Sequence, residues 1–387
     1  MNTRIMRFVV ATAFSLAALS TVYAEPGNGV PFQQLQLQID GLQAQVQALA
    51  EQINQGGDQN VTVNCGAETI GAALANASPG GRLTITVNGN CMEDVTIERD
   101  RVTLKDGTVS GTGAMQPVIQ IIGARGIVID NMTVQNGATH GVFANNNADV
   151  TITNSTVQNN AQDGVQLRWG AFGDIRSSTI SGNAECAVSP RDGANVLLTN
   201  NPLVTTAQPD AGICSTIGAY RTTTVRLAGG NTITNTGGGA AMDIIQGSAV
   251  RAQSGVDTIM GQVFISRLAN VDLRNANITG NISVTNGAWL RVRTPSSVTG
   301  NIFIDSMSLA QFQGVPSING PVICGSSQSV GIGTDPNFFL NLVVPPGPPP
   351  APPFPVNVVT SQGEIAPAFR GIAQGNIAGG GFFIACN

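Results

Sequence analysis

Apolar and polar positions along this chain come in short bursts, and the bursts recur. Between Ile127 and Leu203 the recurrence is every 23 residues. Ile129, Ile152, Ile175 and Leu198 share one column, and Val134, Val157, Ile180 and Leu203 share another. Asn131, Asn154, Ser177 and Asn200 lie between them. The strings read IDNMTV, ITNSTV, IRSSTI and LTNNPL. Each repeat carries a further strand, in which Val142, Val165 and Val188 alternate with Phe143, Gln166 and Ser189. By strand alternation the valines face inward and the others outward, with Asn145, Arg168 and Arg191 in the next outward column.

Such a period, with apolar strands and polar corners, predicts a solenoid of stacked coils. From about Thr205 to Gly255 glycine-rich stretches intrude and the register is expected to slip. A tighter repeat then returns. Ile259, Ile278, Val298 and Ile318 are spaced by 19, 20 and 20, each followed by Gly261, Gly280, Gly300 or Gly320. A glycine fixed at each turn predicts one recurring backbone conformation with positive φ. Trp289 is expected to stack on Leu309, and Val292 on Phe312. Asparagines at the corners are expected to bond to one another along the rod. Roughly a dozen coils at about 4.8 Å each give a rod on the order of 60 Å long. The predicted architecture is all-β, a parallel β-helix over residues 60–342.

Two helices precede the coils. Glu68 to Ala77 carries Ile70 and Leu74 on one face and ends at Pro79-Gly80-Gly81. It is placed to cover the open end of the solenoid, where strand edges lack partners. Upstream, Phe32, Leu35, Ile39, Leu42, Val46, Leu49 and Ile53 step alternately by 3 and 4, a heptad seam flanked by glutamines. Residues 25–57 read either as a short oligomerisation stalk through 32–53 or as an amphipathic helix lying on the body.

Residues 1–24 have the form of a secretory signal. Arg4 and Arg7 open it, Phe8 to Leu19 is the apolar run, and Val22-Tyr23-Ala24 is a cleavage site. The apolar run is too short for a membrane anchor. The expectation is an exported protein, periplasmic or extracellular. Six cysteines then read as disulfides, paired most simply as Cys65–Cys91, Cys186–Cys214 and Cys324–Cys386. No CxxC string or histidine partner supports metal binding instead. Val343 to Pro355 holds eight prolines and is expected to be an extended spacer, ahead of a tail (356–387) that covers the last coils.

Only 11% of the 387 residues are charged, against roughly 25% in an ordinary domain. Lys105 is the one lysine and His140 the one histidine. Coils that stack like on like disfavour charge, because like charges would lie over one another. The formal charge is −5, and −7 without residues 1–24, which argues against nucleic acid as a partner.

The opening helix, the first coil from Leu83 and the 23-residue Asn-rich repeats resemble the pectate-lyase-like right-handed β-helix superfamily. That resemblance implies fold over most of residues 60–342. It does not imply one activity, since lyases, glycoside hydrolases, epimerases, tailspikes and non-catalytic members share the fold. The reactive strings of those members are missing. His140 sits in Thr-His-Gly rather than Gly-His-Gly, and neither Arg-Ile-Lys nor Asp-Pro-His-Asp occurs. No catalytic residue is carried over.

One constellation is left. His140, Asp163, Glu185, Arg168, Arg191 and Trp169 should lie on neighbouring coils. Arg168 and Arg191 could bind a uronate carboxylate through two-point hydrogen bonds, and Trp169 or Phe143 could stack on a sugar. For catalysis the candidates are His140, Asp163 and Arg168, with His140 as the base of a lyase. The structural reading of the same residues is an Asp163–Arg168 surface pair and a Trp169 loop. Asn131-Met132-Thr133 and Asn154-Ser155-Thr156 match glycosylation acceptors, but at a corner they serve the backbone. The expectation is a scaffold or glycan-binding rod whose partner is a polysaccharide or cell-surface glycan. The alternative is a lyase or hydrolase of an acidic polysaccharide. No cofactor is implied, apart from Ca2+ for a lyase.

Overall fold

Each coil contributes three short strands, and like strands stack into three sheets of 14, 13 and 11 strands. The computed structural model describes residues 30–54, 57–206, 215–293, 295–305, 308–313, 317–320 and 322–324, with the short strands 330–333, 358–360, 363–364 and 381–386. The segment 1–24, Cys214 and the Pro-rich run 343–355 lie outside them, as do the side chains of Cys324 and Cys386.

One repeat shows how the sequence is divided. Ile127–Asp130 joins the 14-stranded sheet, Thr133–Gln135 the 11-stranded sheet and Val142–Asn145 the 13-stranded sheet. The string IDNMTV is thus two strands meeting at a corner. At that corner Asn131, Asn154, Ser177 and Asn200 all have positive φ, between 48° and 55°. Asparagine tolerates this conformation better than most residues, which is why it recurs there.

The vertical register is the expected one. Ile129 pairs with Ile152, Ile152 with Ile175 and Ile175 with Leu198, all fully buried. The second column also holds, Val134 beside Val157 and Val157 beside Ile180. Trp289 pairs with Leu309 and Val292 with Phe312. Eleven coils at about 4.8 Å make a rod about 50 Å long.

Two expectations need correction. The slip expected after Thr205 is confined to one sheet. In the 14-stranded sheet Leu198 pairs with Leu227, Leu227 with Ala252 and Ala252 with Leu273, without a break. In the 13-stranded sheet the register does shift, between Ala240 and Met242, where Ala240–Ile245 pairs with Gln262–Ser266. The buried ladder is also displaced by one residue from the Asn131 column. The amide N–H of Met132 donates to Ser155 Oγ, that of Ser155 to Ser178 Oγ and that of Ser178 to Asn201 Oδ1. It continues through Asn201 to Asn231 Oδ1 and Asn231 to Asp257 Oδ1. The exposed Asn131 and Asn154 instead donate to the carboxylates of Asp106 and Asp130 on the preceding coil. A corner that turns the chain inward leaves an amide pointing along the axis, and a buried amide must find an acceptor.

The upper end is closed as the apolar pattern predicts. Helix α1, Val30–Asn54, precedes the body, and helix α2, Ile70–Asn76, covers the first coil. Thr69 caps α2 by accepting from the Ala72 amide, and Glu93 accepts from the amides of Ile70 and Gly71 at 2.7 and 3.1 Å. These satisfy donors that a helix start leaves free. Ile70 is fully buried and Leu74 packs against the core. Cys65 and Cys91 form a disulfide across 26 residues of chain. A loop of that length stabilises by about 3 kcal/mol in the chain-entropy view. Cys186 is buried, and its proposed partner is the undescribed Cys214. At the lower end Gly381–Cys386 runs antiparallel to Ser308–Gln313.

Candidate functional site

The constellation expected from the sequence lies on the outer face of the 13-stranded sheet. His140 and Asp163 occupy equivalent places on adjacent coils, at the corner that leads into the strands. The Gly141 amide donates to the Asp163 carbonyl, which fixes that stacking. Phe143, Gln166 and Ser189 follow as outward residues in register.

Asp163 is the centre of the cluster and is fully buried. Its Oδ2 accepts from Gln166 Nε2 at 2.5 Å and its Oδ1 from the Cys186 amide at 3.0 Å. Arg191 Nη2 approaches Oδ2 at 3.7 Å and His140 Nδ1 at 3.5 Å. The expected Asp163–Arg168 surface pair is therefore replaced by a buried Asp163 paired with Arg191. Arg191 also donates from Nε to Ser189 Oγ at 2.8 Å and lies 5.2 Å from the centre of the Tyr220 ring. The Tyr220 ring in turn covers Gly218, where an added Cβ would meet it at 2.5 Å. Tyr220, which sequence reasoning missed, continues the Arg191 column by a bridge between the two residues. Its signal was the Ile217-Gly218-Ala219-Tyr220 string, where a ring two residues from a bare glycine can lie flat over it.

His140 stacks on Phe143 with ring centres 5.6 Å apart. Its Nδ1 accepts from the Asp163 amide at 3.3 Å, so the proton of the neutral ring is on Nε2. Burial, and then Arg191 and Arg168, lower the His140 pKa to about 4. Burial raises that of Asp163 to about 6, against the pull of Arg191 and two hydrogen bonds. At neutral pH the pair is thus a neutral imidazole beside a carboxylate, not an ion pair.

These shifts oppose each other in stability. Asp163 titrates higher folded than unfolded, so the fold binds the extra proton and loses stability as pH rises between 3.8 and about 6. His140 titrates lower folded than unfolded, so its contribution is full above 6.5 and is lost as pH falls toward about 4. Each amounts to about 3 kcal/mol, and in the wild type they largely cancel. His140→Gln should therefore show a denaturation midpoint that falls as pH is raised from about 4 to 6, and Asp163→Asn one that rises. Parallel profiles for the two variants would refute the assignment.

The remaining expected residues are less convergent. Arg168 follows Leu167 in the outward column, and its Nε is buried without a hydrogen-bond partner, as is Oδ1 of Asn145 one coil above. Burial, then Arg191, lowers the Arg168 pKa from its usual value. Trp169 sits at a corner with φ 50° and is 51% exposed, so it is not part of the cluster around Asp163. Among the described residues no group of His, Cys, Asp and Glu could hold a metal ion.

Three stacked parallel sheets around one apolar interior, with polar side chains on the faces, define a parallel β-solenoid. The family model described as the right handed beta helix region matches residues 53–203 and 93–257, which together cover more than half of the chain. The protein belongs to this right-handed β-helix family. No curated protein matches the chain. No helix among the described residues is long and apolar enough to cross a membrane.

Proposed function

We propose that this protein is an exported β-helix rod that serves as a scaffold or binds a glycan, and does not carry out catalysis at the Asp163 cluster. The observation that carries this reading is how fully the cluster is used by its own members. Both carboxylate oxygens of Asp163 are engaged and Gln166 and Ser189 are buried. Tyr220 fills the space over Gly218. A general base must reach its substrate's proton, and Asp163 is shielded from one. Export rests on the form of residues 1–24 and on the Cys65–Cys91 disulfide, a bond that persists in oxidising compartments.

A second reading is a lyase of an acidic polysaccharide, favoured by the unpartnered buried atoms of Arg168 and Asn145. Incubation with polygalacturonate and alginate, with and without calcium, separates the two. The expected result is no unsaturated or reducing ends above background. Turnover that vanishes in Arg168→Ala would establish the lyase.

Helix α1 adds an oligomerisation reading. Leu35 and Ile39 are 42% and 41% exposed and Val46 is 64% exposed, although they form an apolar seam. A second copy of the same helix would bury them as a coiled coil. Deleting residues 25–57 is expected to reduce the solution mass from a multiple of the chain to a single chain. An unchanged mass on light scattering would eliminate the stalk.

A further inference from the structure

We propose that the Asp257 carboxyl is a proton-operated latch between two coils, closed when its Oδ2 carries a proton and donates to the Leu227 carbonyl, and open when it is ionised. The device is independent of what the rod binds. It follows from the way the other members of the buried ladder use their side chains. Ser155 and Ser178 direct their hydroxyls to the carbonyls of Ile129 and Ile152, both at 3.4 Å. Asn201 and Asn231 donate from Nδ2 to the carbonyls of Ile175 and Leu198, at 2.8 and 3.0 Å. Further down, the Ser296 hydroxyl donates to the Leu273 carbonyl at 3.2 Å. Each side chain thus gives a hydrogen to the preceding coil, at the same column of the 14-stranded sheet.

Register places Asp257 in this series. Thr232 pairs with Thr258, which makes Asp257 the counterpart of Asn231, and Leu198 pairs with Leu227. The carbonyl due to receive a hydrogen from Asp257 is therefore that of Leu227. Asp257 Oδ1 fills the accepting half of the role, taking the Asn231 amide at 3.1 Å and Asn231 Nδ2 at 2.8 Å. Oδ2 stands where an asparagine has its donor. The residue is fully buried, and Oδ2 has no hydrogen-bond partner. The Leu227 carbonyl is also short of a donor. The Gln253 amide reaches it at 3.4 Å, whereas the corresponding Ala228 amide meets the Leu198 carbonyl at 2.8 Å.

An ionised Asp257 would set a buried anionic oxygen against a carbonyl dipole, which is costly. A carboxylic acid supplies the missing O–H donor instead. Burial raises the Asp257 pKa above 3.8, against the pull of the hydrogen bonds from Asn231 and the Gly229 amide. No charged side chain shares in that shift. Arg226 and Arg251, on the strands that lead into the two corners, are exposed. On the following coils the Asp257 column continues with Ala276 and Ser296. A group that titrates higher folded than unfolded supports the fold fully below 3.8, and that support is lost as pH rises through the folded value. The proton leaves to water, and the contact between Leu227 and the coil of Asp257 loosens.

The test compares the full-length wild type with D257N and D257S by chemical denaturation from about pH 3.5 to about pH 8. Asparagine carries a permanent donor, and serine reproduces the arrangement at Ser296. Asp163 and His140 are present in all three proteins, so the differences isolate Asp257. The expected result is a gap between D257N and wild type that widens in favour of the variant as pH rises above 3.8. In folding equilibrium constant it grows by up to about tenfold per pH unit, then becomes constant. D257S should show the same widening from its own starting offset. Protection of the Gln253 amide, corrected for its intrinsic exchange rate, should fall over the same window in wild type and not in D257N. A gap that stays constant with pH in either variant would overturn the latch. So would Gln253 protection that falls alike in wild type and D257N. If D257N does not fold, D257S decides by the same criteria.

Discussion

Gly280→Ala is expected to destabilise the last coils by about 3 kcal/mol or more. Gly261, Gly280 and Gly300 have φ of 130°, 146° and 143°, a region that side chains strongly disfavour. They also stack directly on one another. A Cβ on Gly280 would lie 2.2 Å from the carbonyl oxygen of Gly261. The nearest atoms are all Gly261 backbone, with no flexible side chain to yield, so the coils must move apart. Stability in a solenoid is roughly a sum of coil and interface terms, so the damage should be local at first. Amide exchange is the measurement. Protection should collapse around Val263, Ile282 and Ile302 at conditions where Ile129 and Ile152 remain protected. Uniform loss of protection along the rod would contradict this.

Asn231→Ala should cost about 2–3 kcal/mol, although it leaves the apolar core intact. Asn231 Oδ1 accepts from both the amide and the side chain of Asn201, at 3.1 Å each. Its Nδ2 donates to the Leu198 carbonyl and to Asp257 Oδ1. Truncation leaves the buried Asn201 amide without an acceptor, and no water reaches it as it would at a surface. Asn154→Gly provides the contrast. It lies at an exposed corner whose positive φ glycine accepts readily, so its effect should stay within about 0.5 kcal/mol. Chemical denaturation of the two variants side by side checks the difference. Equal midpoints would show that the buried ladder does not contribute to stability.

The contrast between these residues also explains what was legible beforehand. The Ile129, Ile152, Ile175, Leu198 column is visible because apolar side chains are forced inward at every coil, whatever the corner does. Asn131 and Asn154 stand out because their corner needs a residue that tolerates positive φ. The ladder itself is harder to see. Its members are Ser155, Ser178, Asn201, Asn231 and Asp257, since any small side chain that offers an oxygen will serve. The slip after Thr205 is legible only in part. One strand pair does shift, between Ala240 and Met242, while the 14-stranded sheet keeps its register because corner length varies freely, so a sequence period measures the corners as much as the coils. The candidate site was half legible. Strand alternation places His140, Asp163 and Arg191 together. It does not say that Arg191 would turn toward Asp163 and Tyr220, because that choice depends on the empty space over Gly218.

The antiparallel strand Gly381–Cys386 changes what the rod can do to itself. Every earlier addition to the 14-stranded sheet from Gln59 to Gln313 is parallel, and such a stack could in principle recruit a second molecule end to end into a fibril. Gly381–Cys386 is itself covered, because Val330–Gly333 pairs antiparallel on its far side, so the strand is held between two others. The edge an arriving molecule meets is therefore a strand of four residues, two of them glycine, and so short an edge is a poor template for end-to-end growth.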